Sequence, residues 1–316
     1  MTMPFVKEKF TVPRRMPAFL FMMKQFQFSQ GEAQRALAKG RILINGHSIF
    51  NTGEDIEGEI EVVYFKPHSQ GNPPLFHTPD FMVFEKESGT LVHPNTMATP
   101  YSMLDEIRTI AGDHANAVHR IDMETSGLLL ASKHKKAETA LKTLFEKRTI
   151  QKSYLAWVEG ELTEPFSVTQ PIRINSDYSQ CKHKVSISST GKPSHTDFIP
   201  LEYDPTLDAT LVQCMPHTGR THQIRIHLFH VKHPILGDPI YGSSFATSDA
   251  YLEGRLSPTQ RLEGTGASRL MLHAYGLTFH YRNPFVIQSR SDFGAMRTLI
   301  HPKELRCFNQ SDAVAP

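Results

Sequence analysis

Residues 119–127 read HRIDMETSG, and they run directly into the apolar stretch Leu128–Ala131. This segment places the carboxylate of Asp122 between an arginine and a Thr-Ser-Gly turn, just ahead of a predicted buried strand. A charge beside a buried strand usually needs a partner or a chemical task. Taken alone, the segment favours the simpler interpretation, in which Asp122 caps the turn. The rest of the chain therefore has to decide between a structural and a chemical role.

A second informative segment is TGRTHQIRIHL at residues 218–228. Polar residues at positions 223, 225 and 227 alternate with apolar residues at 224, 226 and 228, which predicts a strand over Gln223–Leu228 with one polar face. Arg220 stands on the preceding Gly-Arg turn. From a turn its guanidinium can bind a carboxylate through two parallel hydrogen bonds.

Helix and strand patterns mix along the rest of the chain. Apolar spacing over His134–Thr149 predicts an amphipathic helix with a lysine-rich polar side. Strands are predicted at Phe81–Glu85, Tyr154–Val158 and Thr210–Met215. This mixture indicates an α+β domain rather than a doubly wound parallel sheet. Residues 243–268 form a polar stretch, interpreted either as a loop that folds over substrate or as a disordered segment.

Charge is distributed unevenly along the chain. The 316 residues carry 34 Lys and Arg against 32 Asp and Glu, a formal net charge of +2, which argues against histone-like polybasic binding. Residues 1–41 nevertheless hold eight bases and two acids, and residues 119–155 hold eight bases and four acids. Residues 54–61 hold five acids and no base. The near-neutral total therefore conceals two basic regions, which suits a nucleic-acid partner.

The basic N-terminal region has a recognisable order of elements. Ser29 is a predicted helix N-cap, with Glu32 completing a capping box, and the helix is expected to end at Gly40. Residues 41–49 then predict a strand, an Asn-Gly turn and a second strand. An acidic turn over residues 54–61, a strand at Ile60–Phe65 and a linker from Pro67 to Pro74 follow.

This order resembles the small RNA-binding module first named for ribosomal protein S-four. The basic helix followed by KGRILINGH carries the resemblance, which covers about 50 residues. It implies that Arg35, Lys39 and Arg41 face RNA. The alternative is a solvated amphipathic helix on an accessory hairpin.

Several observations bear on the cellular compartment. Cys181, Cys214 and Cys307 are widely spaced and form no C-x-x-C pair, which suits a reducing cytosol. Charged residues interrupt the N-terminus, and the apolar run Pro17–Met23 is too short to span a bilayer. We therefore expect a soluble cytoplasmic protein without a membrane partner.

The histidines give little support to a metal site. His217, His222 and His227 recur every five residues, a spacing that fits neither one helical face nor one strand face. We therefore expect no bound metal.

Five segments together carry a second, more specific resemblance. HRIDMETSG, KSYLAWVEG, TGRTHQIRIHL, HPILGDPIYG and RLMLHAYGL follow one another between residues 119 and 277. In this order they closely resemble pseudouridine synthases of the Rlu type, which modify ribosomal large-subunit RNA or tRNA. Two departures are visible: Ile121 stands where Leu is usual, and Lys86-Glu-Ser-Gly89 replaces the usual Lys-Pro-Ala-Gly turn.

The resemblance implies a pseudouridine synthase fold over residues 76–300. In that fold a mixed, mostly antiparallel sheet with flanking helices surrounds a catalytic cleft. An S-four-like α/β domain would occupy residues 1–68, a linker 69–75 and a C-terminal tail 301–316. It also implies a monomer that needs no cofactor.

The same resemblance assigns roles to individual residues. Asp122 matches the essential aspartate, which either attacks C1′ of the ribose or removes the C2′ proton. Arg220 matches the arginine that pairs with this aspartate, and Tyr154 matches the tyrosine that stacks on the target base. Further contacts with base or RNA are implied for Arg120, which would fill the space that the flipped base leaves, and for His119, Thr125 and Ile224, with Ile226 as an alternative wall of the pocket.

The leading hypothesis is thus an RNA pseudouridine synthase acting on structured RNA, most simply 23S ribosomal RNA because of the accessory module. A tRNA synthase of the same family is the alternative target assignment. A non-catalytic RNA-binding ribosome-assembly factor is disfavoured by the intact Asp122, Tyr154 and Arg220. A hydrolase of free nucleosides fits the glycosidic chemistry but not the basic N-terminal region.

Overall fold

A computed structural model describes residues 3–177 and 182–306 of the chain. It divides into two compact units, residues 1–71 with 93–109 and residues 72–92 with 110–316. The domain boundaries given above stay predictions. Of the proposed C-terminal tail, residues 307–316 lie outside the described part, as do Cys181 and Cys307.

The N-terminal unit is built on a four-stranded sheet in the order β1-β4-β2-β3. Its strands are β1 (Phe5–Pro17), β2 (Ile42–Ile44), β3 (His47–Ile49) and β4 (Asp55–Phe65), and the helices α1 (Ala18–Phe26) and α2 (Gln30–Ala38) pack on it. Met22 and Leu37 from the helices meet Ile42 and Val62 from the sheet in a fully buried core. The long strand β1 has no counterpart in the sequence predictions.

The local predictions for α2 and the hairpin are confirmed. The hydroxyl of Ser29 accepts from the amide of Glu32, whose carboxylate returns to the Ser29 amide. Gly40 has a φ of +63°, and Asn45 and Gly46 have φ values of 52° and +80°, as a type I′ turn requires. The predicted acidic turn is wrong, because residues 55–61 belong to β4 and pair with β1. Gly58, at φ +79°, lies where the register of that pairing shifts.

The start of the predicted linker is fastened within this unit. Asp105 and Glu106 are 0% and 1% exposed near the beginning of α3 (Met103–Ala111). Asp105 accepts from the amide of His68 at 3.1 Å, and Glu106 accepts from Ser69 Oγ and the Gln70 amide at 2.6 Å each. Two buried carboxylates therefore hold residues 68–70.

The second unit is built on a ten-stranded sheet whose main path is β10-β13-β14-β9-β15-β8-β6-β5, with β16 paired to β15 and β7 to β8. Among the described strands of this sheet, β15 with β8 is the only parallel pair, so the predicted mixed, mostly antiparallel sheet is confirmed. In chain order the strands are β5 (Phe76–His77), β6 (Phe81–Lys86), β7 (Asn116–Ala117), β8 (Ser126–Ser132), β9 (Gln151–Glu159), β10 (Phe166–Val168), the separate hairpin β11 (Ile172–Ile174) and β12 (Val185–Ile187), β13 (Thr196–Asp204), β14 (Ala209–Pro216), β15 (Leu272–Tyr281) and β16 (Asn283–Gln288).

The described helices of this unit lie between strands along the chain. The helix α4 (Lys135–Glu146) lies between β8 and β9, and α5 (Gln223–His230), α6 (Phe245–Leu252) and α7 (Pro258–Thr265) lie between β14 and β15. The predicted strand at Gln223–Leu228 is wrong, because these residues form α5. Every residue from 223 to 228 is buried, and a helix without an exposed face carries no helical period in its hydrophobicity. Residues 243–268 are not disordered but contain α6 and α7, with Ser244 and Ser257 as N-caps.

No helix in the described ranges is long and apolar enough to cross a membrane.

Candidate active site

The segment that carries Asp122 is anchored on both sides. His119 Nε2 accepts from the Leu130 amide at 2.9 Å, and its ring stacks on Phe145 with centroids 4.7 Å apart. Burial lowers the pKa of His119 to about 3, so the ring is neutral and serves as an acceptor at pH 7. After Asp122, the buried Thr125 donates its amide to the Asp122 carbonyl at 3.1 Å. The Asp122 side chain between these anchors is 30% exposed.

The turn after β6 supports this segment through its main-chain carbonyls. Lys86 is 1% exposed, and its Nζ donates to the carbonyls of Glu87, Thr90 and Met123 at 2.8 Å each. Ser88 Oγ donates to the Glu124 carbonyl at 2.6 Å. Burial lowers the pKa of Lys86 to about 7. The turn Lys86-Glu-Ser-Gly89, although it departs from the usual sequence, therefore binds Met123 and Glu124, the two residues that follow Asp122.

An arginine of α5 lies against Asp122. Arg225 Nη1 is 3.4 Å from Asp122 Oδ2, while Arg225 Nε and Nη2 donate to the two oxygens of Asp238 at 2.7 Å each. The Asp238 side chain is fully buried and also accepts from the amides of Ile240 and Tyr241 at 2.9 and 3.0 Å. Burial disfavours the charge of Arg225, but Asp238 and then Asp122 outweigh it and raise the pKa of the guanidinium. Arg225 is therefore a fixed cation in the site.

Arg220, which the sequence singled out as the partner of Asp122, lies elsewhere. Its Nε donates to the Pro193 carbonyl at 3.1 Å, and its amide donates to Gln223 Oε1 at 3.0 Å. Among the described residues, Arg225 is the arginine within 4.0 Å of Asp122, so the predicted pairing is wrong. The cause is the helical geometry of residues 223–230, which the strand prediction did not allow.

Two further groups surround the carboxylate. His222 Nε2 is 3.8 Å from Asp122 Oδ2, and His222 Nδ1 is 2.9 Å from the hydroxyl of Tyr241. Burial lowers the pKa of His222 to about 4. Tyr154 lies on β9. Burial raises the pKa of its phenol, and the nearby charge of Asp122 raises it further. The site thus combines an accessible carboxylate, a fixed guanidinium, a neutral imidazole and a neutral phenol.

Comparison with known proteins agrees with this arrangement. Residues 80–230 match the RNA pseudouridylate synthase family. An uncharacterized RNA pseudouridine synthase of Helicobacter pylori is 36% identical over 281 residues, covering 89% of this chain and 92% of that protein. The chain belongs to the RNA pseudouridine synthase family.

Other relatives of the synthase extend the comparison. The ribosomal large subunit pseudouridine synthase C of Escherichia coli K12 is 32% identical over 263 residues, which is 78% of each chain. The solved structure of human RNA pseudouridylate synthase domain containing 1 matches with a TM-score of 0.58 and 24% identity, covering 80% of this chain and 99% of that one. That likeness concerns the fold. The synthase is therefore an isomerase that acts on uridine in RNA.

The remaining predicted site residues take different positions in the synthase. Arg120 is exposed and forms no ion pair with the residues that the structure describes. Ile224 is 6% exposed and packs into the core around Trp157, one position before Arg225. The buried side chains of Asp238 and Lys86 were missed. The signal for Asp238 was a charged residue inside the otherwise apolar HPILGDPIYG, which needs a buried partner.

The N-terminal residues expected to face RNA divide into two kinds. Arg35 and Lys39 are exposed on and just after α2. Arg41 is half-buried, with its guanidinium 5.0 Å from the centroid of the Phe5 ring. Burial and then Arg108 lower the pKa of Arg41. The S-four-like character of this unit stays a prediction.

Proposed function

We propose that the synthase converts a uridine of 23S ribosomal RNA to pseudouridine, with Asp122 as the carboxylate that acts on the ribose. The observation that carries the catalytic assignment is the 30% exposed carboxylate of Asp122 beside the buried cation Arg225. The ribosomal target is supported by the relatives named ribosomal large subunit pseudouridine synthase C and by the exposed basic residues on and just after α2.

The isomerisation sets clear requirements on the site. The bond between N1 of uracil and C1′ of the ribose breaks, the detached ring turns, and C5 bonds to C1′. The C5 proton leaves to solvent, while N1 takes up a proton. Asp122 either attacks C1′ or removes the C2′ proton, and both routes need an oriented carboxylate near the anomeric carbon. Arg225 supplies this orientation.

Access to the ribose requires that the target nucleotide leave its stack. The exposed guanidinium of Arg120, two residues before Asp122, is suited to fill the vacated space because a planar cation stacks on neighbouring bases. Tyr154 provides an aromatic face for the flipped uracil. Its neutral phenol is also available for proton transfer near C5.

Mapping of pseudouridines in a strain that lacks the gene tests the target. We expect one or a few pseudouridines of 23S ribosomal RNA to disappear and to return with a wild-type copy but not with Asp122→Asn. Loss confined to tRNA would favour the alternative target. An unchanged pattern in every RNA would favour a binding factor and contradict the proposal. The cytoplasmic location and the monomeric state stay predictions.

A further inference from the structure

The helical segment α6–α7 is hydrogen-bonded to the Asp122 segment through Glu124. The Glu124 carboxylate accepts from Arg261 Nη2 at 2.6 Å and Nη1 at 3.2 Å, and from the Tyr251 hydroxyl at 3.1 Å. The Glu124 and Arg261 side chains are 10% and 15% exposed, so the pair is largely shielded from water. Burial opposes the charge of Glu124, but the hydrogen bonds from Arg261 outweigh it and lower the pKa of the carboxyl.

Arg261 also reaches the other side of the site. Its Nη2 donates to the Gly237 carbonyl at 3.1 Å, and Gly237 directly precedes Asp238. The backbone at Gly237 is closely confined, with a φ of +77° and with the Arg269 carbonyl in the space that a Cβ would occupy. Arg261 thus binds the main chain at Gly237, next to Asp238, which holds Arg225.

These contacts close a ring around the proposed catalytic carboxylate. Asp122 meets Arg225, Arg225 is bound by Asp238, the chain leads from Asp238 to Gly237, and Arg261 connects Gly237 to Glu124. Glu124 is two residues after Asp122. The ring thus contains the arginines Arg225 and Arg261 and three carboxylates. Arg225 binds the carboxylates of Asp122 and Asp238, and Arg261 binds the carboxylate of Glu124 and the carbonyl of Gly237.

We propose that Arg261 is a positioning residue that sets the separation of Asp122 from Arg225, and that α6–α7 serves to bring it there. The proposal rests on the proposed role of Asp122. Arg261 does not touch the reacting atoms. Its removal frees Glu124 and Gly237 together, so the Asp122 segment loses its connection to the segment that holds Arg225.

Variants of Arg261 test this role. We expect Arg261→Ala to lower kcat for a structured RNA by about 100-fold, the order of loss that a displacement of about 1 Å of a catalytic group causes, with KM nearly unchanged. Arg261→Lys, which keeps the charge but not the bidentate geometry, should lose less. Added methylguanidinium should restore part of the Arg261→Ala activity by filling the vacated space. Arg255→Ala is the matched control, because Arg255 lies between α6 and α7 with its side chain 59% exposed.

Folding is checked on every variant by circular dichroism and thermal unfolding. If Arg261→Ala does not fold, Arg261→Lys and Tyr251→Phe carry the test, because both leave the site filled. Folded variants of wild-type kcat would overturn the positioning role. That result is distinct from failure of the proposed function, which would show as activity retained by Asp122→Asn.

A separate observation concerns the ends of β13 and β14. Thr196 pairs with Pro216, so His195 and His217 lie opposite each other, and Asp197 follows two residues after His195 on the same face. His195 Nε2 is 2.9 Å from Asp197 Oδ1, and His217 Nε2 is 2.6 Å from Asp197 Oδ2. One donor atom from each residue lies within 4.8 Å of the others. Ser167 donates to Asp197 Oδ1 at 2.6 Å and orients the carboxylate.

We infer that His195, Asp197 and His217 bind a divalent transition metal such as Zn²⁺. Two imidazoles and one carboxylate on a rigid strand pair, with an open side for water, form a common donor set for this ion. The prediction of no metal considered only the spacing of histidines along the chain, whereas His195 comes from the neighbouring strand. The ion would cross-link the strand ends directly before the turn that carries Arg220.

Titration of the chelator-treated protein with Zn²⁺ and Co²⁺ tests this inference. We expect saturable 1:1 binding, visible absorption of a low-coordinate Co²⁺ complex and a higher melting temperature with Zn²⁺. His217→Gln should remove all three effects, and His280→Gln, a change at an exposed histidine of β15, should remove none. Absence of saturable binding, or binding that His217→Gln leaves unchanged, would refute the site.

Discussion

Arg225 divides its guanidinium between two carboxylates of different exposure. Its two shortest bonds, at 2.7 Å, go to Asp238, whose side chain is fully buried, whereas Asp122 is 30% exposed and receives a bond of 3.4 Å. Asp238 therefore stabilises the buried positive charge, because a buried ion needs a close partner. Asp122 keeps the orientation that the cation gives while its second oxygen stays available for a substrate.

Exchange of the two candidate arginines for lysine distinguishes their roles. We expect Arg225→Lys to lower the single-turnover rate by about 100-fold, because an ammonium cannot reproduce the bidentate contact to Asp238 and the contact to Asp122 together. Arg220→Lys should stay within about 2-fold of wild type, since within the described residues its guanidinium donates to a main-chain carbonyl and pairs with no carboxylate. Rates measured on folded variants that follow the opposite order would contradict the assignment.

At this scale the sequence predicted the carboxylate and the tyrosine but not the cation. Asp122 and Tyr154 stand in motifs whose residues belong to single segments. The sequence assigned the partner of Asp122 to Arg220 and placed Arg225 on a predicted strand, whereas residues 223–228 form a helix that brings Arg225 to Asp122. Both arginines lie in one eleven-residue motif, so only the three-dimensional path of the chain separates them.

At the scale of elements, the sequence predicted a helix or turn correctly where residues close together in the chain determine it. The capping box at Ser29 and the Asn45-Gly46 turn fixed α2 and the hairpin because backbone hydrogen bonds within a few residues determine them. The strand β1 was not predicted, because Pro13 and the bulge between Val12 and Met16 interrupt its alternation of polar and apolar residues. The helices α6 and α7 were not predicted although Ser244 and Ser257 are N-caps, because they bury Ser248 and Thr265 rather than an apolar face with helical spacing.

The turn after β6 is expected to act as a structural support of the Asp122 segment. Lys86→Met removes the ammonium shared by the carbonyls of Glu87, Thr90 and Met123, and the Thr90 carbonyl loses its donor altogether, so the free energy of unfolding should fall by about 2 kcal/mol. Lys136→Met, at an exposed position of α4, should change it by less than about 0.5 kcal/mol. Urea unfolding measures both. Equal stability of the two variants would show that the ammonium at Lys86 is dispensable.

The helix α2 and the residue that follows the Gly40 turn should respond differently to charge reversal. Arg35→Glu and Lys39→Glu should weaken RNA binding and flatten its dependence on salt concentration, with little change in stability. Arg41→Glu should also destabilise the N-terminal unit, because its guanidinium packs on Phe5 and is half-buried. Affinities across a salt series, with melting curves, measure both effects. Unchanged affinity of the first two variants would argue against RNA contact by α2.

For the whole molecule, histidines whose pKa is lowered by burial contribute to the response to acid. Burial lowers the pKa of His119 to about 3 and those of His222, His227 and His273 to about 4. Their unfolded value is about 6.5, so between pH 6.5 and 4 the unfolded chain binds more protons than the folded one. The free energy of unfolding should therefore decrease as the pH falls through this window. Urea unfolding at pH 7.5, 6 and 5 measures it, and a constant value would contradict the neutral, buried state of these rings.

The net charge of +2 understates the positive charge that the protein exposes to solvent. Within the described part of the chain five acids are buried (Asp105, Glu106, Glu124, Glu138 and Asp238) against two bases, Lys86 and Arg225. Exposed bases such as Arg35, Lys39 and Arg120 therefore face solvent with fewer compensating acids than the total suggests. Selective rather than indiscriminate binding of structured RNA fits this balance.

Release of tritium from transcripts labelled at C5 of uridine tests the central claim most directly. In a single turnover with enzyme in excess, the wild-type protein should release tritium from ribosomal RNA and none from free uridine. Asp122→Asn should bind the same transcript with the affinity of the wild-type protein and release none. Tritium release by Asp122→Asn at a rate near that of the wild-type protein would contradict the account.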